Sequence, residues 1–417
     1  MKRKFEKPII KSLLDTDLYT FSVCYAVLMK YPRAEIQYEF IDRDNTVYPE
    51  GFAEELEKQV KMMEDLSFTD EELKYLKSKC YYFPSWFFQW LKGYRFKSSE
   101  VFIKQDLQGH LSIRITGPWN SAIFWEVPLL ATISEMYHTE IDDEKFSSLT
   151  KVAETAQKIA YLNGGKLISS GCTFSDFGTR RRASLEVHFE VLKGLMLASK
   201  NYSSCYEGKF VGTSNPHLAM RLKNDYSFDL KLIGTMSHQF ISAIAAMFGP
   251  QEANFIAMKD WSDVYQADLG IFLYDTFGWK AFENNFTKYH ANLFDGLRVD
   301  SGDNIQQFRW IQKKYRSFGI DPKNKSVVFS NGLDIDDAIF LNKKLGEDMK
   351  VSFGIGTKLT CNIPDVKPMN IVIKAVSARL TEKKYWNHCV KISNDEGKHC
   401  GNPETVKIYK QLLHLDE

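Results

Sequence analysis

Residues 293–303 read LFDGLRVDSGD, a short apolar run that ends in small and acidic residues. Two runs of the same kind follow, SVVFSNG at 326–332 and MKVSFGIGT at 349–357, and stretches with helical spacing of apolar residues separate many of these runs. Strands that alternate with helices predict parallel pairing, because each helix returns the chain to the same end of the sheet. This part of the sequence therefore predicts an α/β fold.

The pattern extends over most of the chain beyond about residue 150. Five more runs belong to it: KLISSG (166–171), KFVGTSN (209–215), LKLIGTMSH (230–238), LGIFLYDTFG (269–278) and NIVIKAV (370–376). Arg181–Ser199 and His238–Phe248 have the apolar spacing of connecting helices. About eight such units predict a TIM-like (β/α) barrel, and a doubly wound open sheet is the alternative.

The N-terminal region has a different, mixed pattern. Helices are predicted at Asp17–Lys30 and within Phe52–Leu91, and strands at Glu35–Phe40 and within Lys104–Thr116. The C-terminal tail also contains strand-like and helical pieces. We expect a barrel-like catalytic domain at 126–376 and an α+β domain built from residues 1–125 and 377–417.

The overall composition excludes several classes of partner. Lys and Arg number 54 and Asp and Glu 53, so no broad basic face for nucleic acid or an anionic membrane is expected. The most apolar stretch, near Ala122–Ile133, contains Glu126 and Pro128 and is too short and polar to span a bilayer. Seven cysteines without a C-x-x-C pair favour a reducing, cytoplasmic location over a disulfide framework or a zinc site.

Many polar residues stand where the predicted strands end, and a barrel brings such positions together at one face. Arginines there can hold phosphates, carboxylates can hold magnesium, and a histidine can act as nucleophile or proton carrier. The residues are Ser175, Asp176, Arg180, Thr213, Ser214, His238, Asp275, Arg298, Asp300, Asp303, Ser330, Asn331, Gly354, Gly356 and Thr357.

Each motif by itself also fits a plainer structural role. GIGT (354–357) is typical of an ordinary turn as well as of a phosphate loop. DFGTRRR (176–182) fits a solvated helix start or an anion site, and LRVDSGD (297–303) fits a surface turn or a catalytic loop. His238 on a first helical turn and Tyr19 on an amphipathic helix are both common as structural residues.

Taken together, the motifs resemble those of the nicotinate phosphoribosyltransferases. Order and spacing agree from residue 10 to about 410, nearly the whole chain. The matching motifs are LLDTDLY (13–19), GPWNSAIFWEVPLLATISE (117–135), FSDFGTRRR (174–182), VGTSN (211–215), LIGTMSHQF (232–240), LYDTFG (273–278), LRVDSGD (297–303), FSNGLD (329–334), FGIGTKLT (353–360) and VKPMNIVIK (366–374).

The resemblance implies a reaction of NAD salvage. Nicotinate and phosphoribosyl pyrophosphate would give nicotinate mononucleotide and pyrophosphate, with ATP hydrolysis coupled as in a ligase and Mg²⁺ required. It also implies a homodimer whose active sites are shared between subunits.

The resemblance further implies roles for individual residues. His238 matches the family's phosphorylated histidine, and Arg298 and Asp300 are expected to act with it. Phe177 and Tyr19 match the rings that sandwich the pyridine, with Tyr19 coming from the neighbouring subunit. Further expected substrate contacts are Arg180, Thr213, Ser214, Ser330, Asn331, Gly332, Gly354, Gly356 and Thr357, and the candidate magnesium ligands are Asp300 and Asp303.

Three positions bear on how closely the family pattern is followed. Related nicotinamide enzymes carry Asp where Ser214 stands, and a serine that can donate a hydrogen bond favours the acid over the amide. Gln239 replaces the usual Glu after the histidine, and Asn331 replaces a common Asp. A nicotinamide- or quinolinate-type transferase and a catalytically weak nucleotide-binding barrel are the alternatives.

Overall fold

The computed structural model describes residues 5–141, 149–364, 366–395 and 399–415. Its helices are α1 Leu18–Lys30, α2 Phe52–Met62, α3 Asp70–Lys79, α4 Ser85–Gly93, α5 Trp119–Ala122, α6 Glu126–Ile141, α7 Leu149–Ser169, α8 Leu185–Tyr202, α9 Pro216–Tyr226, α10 His238–Phe248, α11 Ala253–Tyr265, α12 Gly278–Asn285, α13 Lys288–Leu293, α14 Asn304–Ser317, α15 Ile335–Leu345, α16 Thr357–Thr360 and α17 Pro403–Leu412. Its strands are β1 Glu35–Asp42, β2 Val101–Gln105, β3 Leu111–Pro118, β4 Thr173–Asp176, β5 Lys209–Thr213, β6 Lys231–Leu232, β7 Ile271–Leu273, β8 Gly296–Val299, β9 Ser326–Phe329, β10 Lys350–Ile355, β11 Ile371–Arg379 and β12 Asn387–His388.

Seven parallel strands form a curled sheet in the order β6-β5-β4-β10-β9-β8-β7. Neighbouring strands therefore follow one another in the chain from β4 to β6 and from β7 to β10, and β10 pairs with β4. The sheet is open between β6 and β7, as in a barrel that does not close. The predicted α/β, barrel-like fold is confirmed, with seven strands in the described residues where about eight units were expected.

Two of the eight runs assigned to the barrel are corrected by the structure. KLISSG lies mostly in α7, which continues to Ser169, and the strand begins only at Thr173. The two adjacent apolar residues in this run are compatible with a buried helix as well as with a strand. The run alone therefore could not distinguish a helix from a strand. NIVIKAV does form a strand, β11, but β11 pairs antiparallel with β1 outside the barrel.

A second, antiparallel sheet joins the two ends of the chain in the order β12-β11-β1-β3-β2. Along β1, Ile36, Tyr38 and Phe40 are buried and alternate with more exposed residues, as expected of a strand with one face on the core. The strand β11 crosses the predicted domain boundary between 376 and 377. Helix α10 packs against β11, so the barrel and the antiparallel sheet meet at the start of this helix.

Helix caps fix where the strand-to-helix loops end. The side chain of Asn215 accepts a hydrogen bond from the Leu218 N–H at the start of α9, and Asp303 does the same for Gln306 at the start of α14. Because the barrel strands are parallel, the loops that precede these helices open on the same face. Within the described ranges, no helix is both long and apolar enough to cross a bilayer.

Candidate active site

Two cavities lie side by side at the carboxyl ends of the barrel strands. Cavity A has a volume of about 190 Å³ and is lined by Asp17, Tyr19, Phe177, Arg180, Ser214, Ile233, Gly234, Thr235, Arg298, Asp300, Ser330, Gly354 and Gly356. Cavity B, of about 110 Å³, shares Tyr19, Arg180, Arg298 and Asp300 with it and extends past His238 to residues of β11 and the C-terminal tail. The shared residues make the two cavities neighbouring parts of one site.

The wall of cavity A contains two aromatic rings and two arginines. The guanidinium of Arg180 lies 5.3 Å from the centre of the Tyr19 ring, and that of Arg298 lies 5.5 Å from the centre of the Phe177 ring. No ring contact among the described residues joins Tyr19 to Phe177 directly. This part of cavity A, called the slot below, is thus lined by two aromatic rings, each with an arginine near it, and such a lining suits a flat anionic ring.

The structure places Tyr19 in this slot from the same chain that contributes Phe177. This corrects the expectation that the tyrosine comes from a neighbouring subunit. The reason is the path of α1, whose Leu18 N–H donates a 2.8 Å hydrogen bond to the carbonyl of Ser214 at the end of β5. That bond, and the close packing of Gly234 against the Tyr19 backbone, fix α1 on its own barrel.

His238 stands at the first position of α10 with a side chain that is 15% exposed. Its Nδ1 lies 3.0 Å from the Thr276 hydroxyl, and its Nε2 lies 3.0 Å from Asp300 Oδ2 and 2.9 Å from the Nζ of Lys391. Burial and the charge of Lys391 lower the pKa of His238 to about 3. The imidazole is therefore neutral near pH 7 and has one nitrogen with a free lone pair.

Asp300 connects the histidine to the arginine of the neighbouring cavity. Its Oδ1 accepts a 2.9 Å hydrogen bond from Arg298 and a 2.7 Å bond from the Ser330 hydroxyl. Burial opposes ionisation of this carboxyl, but Arg298 and His238 hold the pKa of Asp300 well below its usual range. A fixed negative charge therefore lies between the imidazole and the slot.

Arg180 is surrounded by carboxylates of other elements. Its guanidinium lies 3.5 Å from Asp17 and 3.7 Å from Glu126, and Glu126 also accepts a 2.8 Å hydrogen bond from the Tyr19 hydroxyl. Its Nε is buried with no hydrogen-bond partner in the part of the chain that is described. The same Nε is the atom that lies 3.5 Å from Asp17 Oδ2, so it faces a carboxylate of the protein.

Gln239 belongs to this carboxylate cluster and not to the histidine. Its amide donates a 2.9 Å hydrogen bond to Glu126 and accepts one from the Tyr38 hydroxyl. No described hydrogen bond joins Gln239 to His238. The described contacts of the imidazole therefore come from Thr276, Asp300 and Lys391 and do not involve Gln239.

Two predicted substrate-contact residues line a further space. Gly332 and Thr357 line cavity C, of about 510 Å³, which shares Ser330 and Gly356 with cavity A. The positive φ of Gly332, 59°, is a backbone conformation that favours glycine. Cavity C is therefore a neighbour of cavity A at these two shared residues.

Six predicted residues line none of these cavities: Ser175, Asp176, Thr213, Asp275, Asn331 and Asp303. Thr213 donates its hydroxyl to Asp176 at 2.6 Å inside the core, and Asn331 donates its amide to the Gly302 carbonyl at 3.0 Å. Asp303 is exposed and caps α14. These side chains support the loops, so the other predicted residues are the ones that surround the cavities.

The sequence interpretation missed several residues that the structure brings to the site. Lys374 and Lys391 line cavity B, and Glu126 lines it beneath Arg180. Glu126 and Lys374 lie inside motifs that were recognised, whereas nothing around Lys391 in the sequence distinguishes it from a surface lysine. Only the folding of the tail across the barrel face places Lys391 next to the imidazole.

The described residues contain no group of three or more His, Cys, Asp or Glu side chains arranged to hold a metal ion. A pair of carboxylates is present: Asp275 accepts a 3.3 Å hydrogen bond from the backbone N–H of Asp300. Burial raises the pKa of Asp275 to about 6. Its Oδ1 is buried without a hydrogen-bond partner in the described structure, 3.9 Å from the His238 imidazole.

Comparison with known proteins places this site in a family. The model described as the nicotinate phosphoribosyltransferase (NAPRTase) family matches residues 172–417, and the model of its N-terminal domain matches residues 14–134. The chain belongs to the nicotinate phosphoribosyltransferase family. The predicted family and the prediction of an enzyme are confirmed.

Relatives of this family match nearly the whole chain. A nicotinate phosphoribosyltransferase of Desulforapulum autotrophicum is 38% identical over 399 residues, covering 95% of this chain and 97% of its own length. The crystal structure of the Porphyromonas gingivalis enzyme is 38% identical, with a TM-score of 0.88 over 97% of this chain and 100% of that one. The Vibrio cholerae structure is 28% identical, with a TM-score of 0.82 over 99% of this chain and 95% of that one.

Proposed function

We propose that this chain joins nicotinate to phosphoribosyl pyrophosphate and couples the reaction to ATP hydrolysis through a phosphohistidine at His238. The products are nicotinate mononucleotide, pyrophosphate, ADP and inorganic phosphate. One observation carries the proposal: Asp300 contacts both the neutral His238 imidazole and Arg298, at the point where the aromatic slot of cavity A meets cavity B. A nucleophile, a fixed charge and a base-binding slot thus share one junction.

The slot of cavity A orients the base. Nicotinate lies between the Tyr19 and Phe177 rings, with its carboxylate toward Arg180. The guanidinium of Arg180, which lines cavity A, supplies the positive charge that attracts that carboxylate. Stacking on both faces sets the ring nitrogen toward C1 of the ribose, which lowers the entropic part of the barrier.

Charge in the transition state determines the roles of Asp300 and Arg298. The bond between ribose C1 and the pyrophosphate oxygen breaks, pyrophosphate leaves with the electron pair, and the pyridine nitrogen forms the new bond to C1. The ionised Asp300 stabilises the positive charge that develops on the ribose, and Arg298 offsets the charge of the departing pyrophosphate. Both side chains are held in place before the reaction by their mutual 2.9 Å contact.

The acidic pair at the site fits the Mg²⁺ that the family implies. Asp300 and Asp275 would hold the ion, since the unpartnered Asp275 oxygen is a hard ligand of the kind Mg²⁺ prefers and two carboxylates with substrate phosphates are a usual set. When bound, Mg²⁺ neutralises charge on the pyrophosphate group. Asp303, capping α14 on the surface, has no part in this proposal.

Two expectations about the protein's setting also stand as proposals. A homodimer is expected from the resemblance. A dimer is not needed to complete the slot, because one chain supplies both Tyr19 and Phe177 to cavity A. A cytoplasmic location in NAD salvage is expected from the cysteine pattern. Sedimentation of the purified chain and imaging of a tagged chain test the two expectations.

A radiochemical assay tests the reaction. Labelled nicotinate, nicotinamide or quinolinate is mixed with phosphoribosyl pyrophosphate and Mg²⁺, with and without ATP, using wild type and His238→Ala. We expect nucleotide from nicotinate alone, a rate that ATP increases in wild type, and no effect of ATP on His238→Ala. Product from another base, or the absence of any product, would overturn the assigned reaction, and an ATP effect on the alanine variant would overturn the phosphohistidine.

A further inference from the structure

The third arginine of the DFGTRRR motif is directed into the protein and not into a cavity. Arg182 is fully buried, and its two terminal nitrogens donate hydrogen bonds of 2.6 and 2.7 Å to the two oxygens of Asp15, which is also buried. Burial raises the pKa of the Asp15 carboxyl, but the charge and the hydrogen bonds of Arg182 outweigh burial and hold this pKa below its usual range. The two side chains therefore form a buried ion pair with bidentate geometry.

Asp15 also accepts a hydrogen bond from a second loop of the barrel. Nδ2 of Asn215 lies 2.9 Å from Asp15 Oδ1, while the oxygen of the same amide accepts the Leu218 N–H at the start of α9. Because this cap fixes the amide, its donor is aimed at the carboxylate. Three segments of the chain thus meet at Asp15: the segment before α1, the loop after β4 and the loop after β5.

The wall of the slot comes from the same parts of the chain, a few residues away from this internal contact. The start of α1 supplies Tyr19, the loop after β4 supplies Phe177 and Arg180, and the loop after β5 supplies Ser214. The residues of the internal contact line none of cavities A, B and C; they are Asp15, Arg182 and Asn215. They can therefore act on a molecule in the slot only through the residues that line it.

Stability alone does not require charged residues at this place. A buried ion pair is often no more stabilising than apolar side chains of the same volume, because the desolvation of two charges offsets their attraction. A bidentate pair adds a fixed distance and direction, since two parallel hydrogen bonds allow one orientation of the guanidinium against the carboxylate. The pair of Asp15 and Arg182 is therefore suited to hold the start of α1 in one position against the loop after β4.

The ion pair is the polar link between the two segments that supply the slot rings. Backbone hydrogen bonds such as that from Leu18 to Ser214 already join the start of α1 to the loop after β5. In the described structure, the hydrogen bonds between residues 13–17 and the loop after β4 are the two that Arg182 donates to Asp15. Without this pair, one ring of the slot is free to shift relative to the other.

We propose that Asp15 and Arg182 are positioning residues, which set the spacing between the Tyr19 and Phe177 rings and thereby the affinity for the flat base. The inference rests on the proposed function, because it takes the slot as the site of nicotinate. A misplacement of about 1 Å caused by a remote change can cost about 100-fold. Phosphoribosyl pyrophosphate is less affected, because Arg298 makes no hydrogen bond to the pair in the described structure.

Steady-state kinetics with each substrate varied in turn test this role. We expect KM for nicotinate to rise about 100-fold in Arg182→Met and about tenfold in Arg182→Lys, which keeps the charge and loses the bidentate geometry. KM for phosphoribosyl pyrophosphate should stay within about threefold of wild type in both variants. Arg221→Met, which removes a bidentate pair with Glu186 at the surface, is the matched control and should change neither KM. A merely structural role would lower the folded fraction, and with it kcat per chain, and leave both KM values in place.

A double variant keeps the test decisive if a lone buried charge prevents folding. Asp15→Leu combined with Arg182→Met removes both charges, so neither is left buried without its partner. We expect this variant to fold and still to show a nicotinate KM raised at least about 30-fold, because the fixed geometry is lost. A nicotinate KM within threefold of wild type would overturn the inference, whereas a wild type that forms no nucleotide from nicotinate would overturn the proposed function instead.

Discussion

The hydroxyl of Ser214 donates a 2.7 Å hydrogen bond to Oδ1 of Asp17, and the other oxygen of Asp17 lies 3.5 Å from the Arg180 guanidinium. Ser214 directly follows β5 and Asp17 directly precedes α1, so the bond also ties this helix to the barrel. The hydroxyl proton of Ser214 and the guanidinium of Arg180 both face Asp17. They therefore already offset the negative charge of this carboxylate when the base enters. Arg180, which lines cavity A, is then the cation that we expect to recognise the acid.

Ser214→Asp is therefore expected to damage nicotinate use. The new carboxylate would face Asp17 and the carboxylate of the substrate, and like charges at this range disfavour binding by several kcal/mol. We expect kcat/KM for nicotinate to fall about 100-fold, with a smaller loss for nicotinamide, as measured with labelled bases. Ser214→Ala is the control without added charge, and an unchanged preference in Ser214→Asp would contradict the assignment.

Gly354 lies under the ring that forms one side of the slot. A Cβ on this glycine would overlap the Phe177 ring, so the ring must move to accept any larger residue. Gly354→Ala is expected to raise KM for nicotinate about tenfold by displacing the stacking surface. Gly93→Ala, where a Cβ meets nothing within 4 Å, is the matched control. Equal KM values in wild type and Gly354→Ala would show that the ring does not bind the base.

The charge of Lys374 is expected to determine the pH above which the rate of the ATP-dependent step falls. Burial and Lys391 lower the pKa of Lys374 to about 8, while Glu126 and Cys400 raise it and Arg180 lowers it further. Since a lysine is charged below its pKa, the phosphoenzyme rate should fall as the pH rises through about 8. Lys374→Arg keeps its charge at higher pH and should move this limit upward, as a pH–rate profile would show. If the rate of Lys374→Arg falls at the same pH as that of wild type, another group is responsible for the fall.

The sequence predicted most of the site because its chemistry lies in long motifs at strand ends. The alternation of strands and helices predicted parallel strands, whose carboxyl ends lie at one face of the barrel. This is why the structure brings together His238, Arg298 and Asp300. Lys391 was not predictable, because it reaches the site through tertiary packing of the tail and has no local signal. The family resemblance assigned Tyr19 to a neighbouring subunit, and the sequence alone could not test this, because spacing does not tell which copy of α1 crosses a given barrel.

The last prediction concerns the Gln239 amide that bridges Tyr38 and Glu126. In Gln239→Glu, a second carboxylate oxygen would lie about 2.9 Å from Glu126 where the amide now donates. Two carboxylates this close cannot both ionise without repulsion, so one pKa must rise. The folded state then binds a proton more tightly than the unfolded state, which makes the variant less stable as the pH rises through that raised pKa.

Urea unfolding at pH 5 and pH 8 measures this effect. We expect Gln239→Glu to lower the free energy of unfolding by about 1–3 kcal/mol at pH 8 and by less at pH 5, where the shared proton is retained. Gln239→Met removes both hydrogen bonds without adding charge, so its loss should be the same at the two pH values. A loss in Gln239→Glu that does not depend on pH would mean that Glu126 has moved away, and Tyr19 and Arg180, which contact Glu126, would then shift with it.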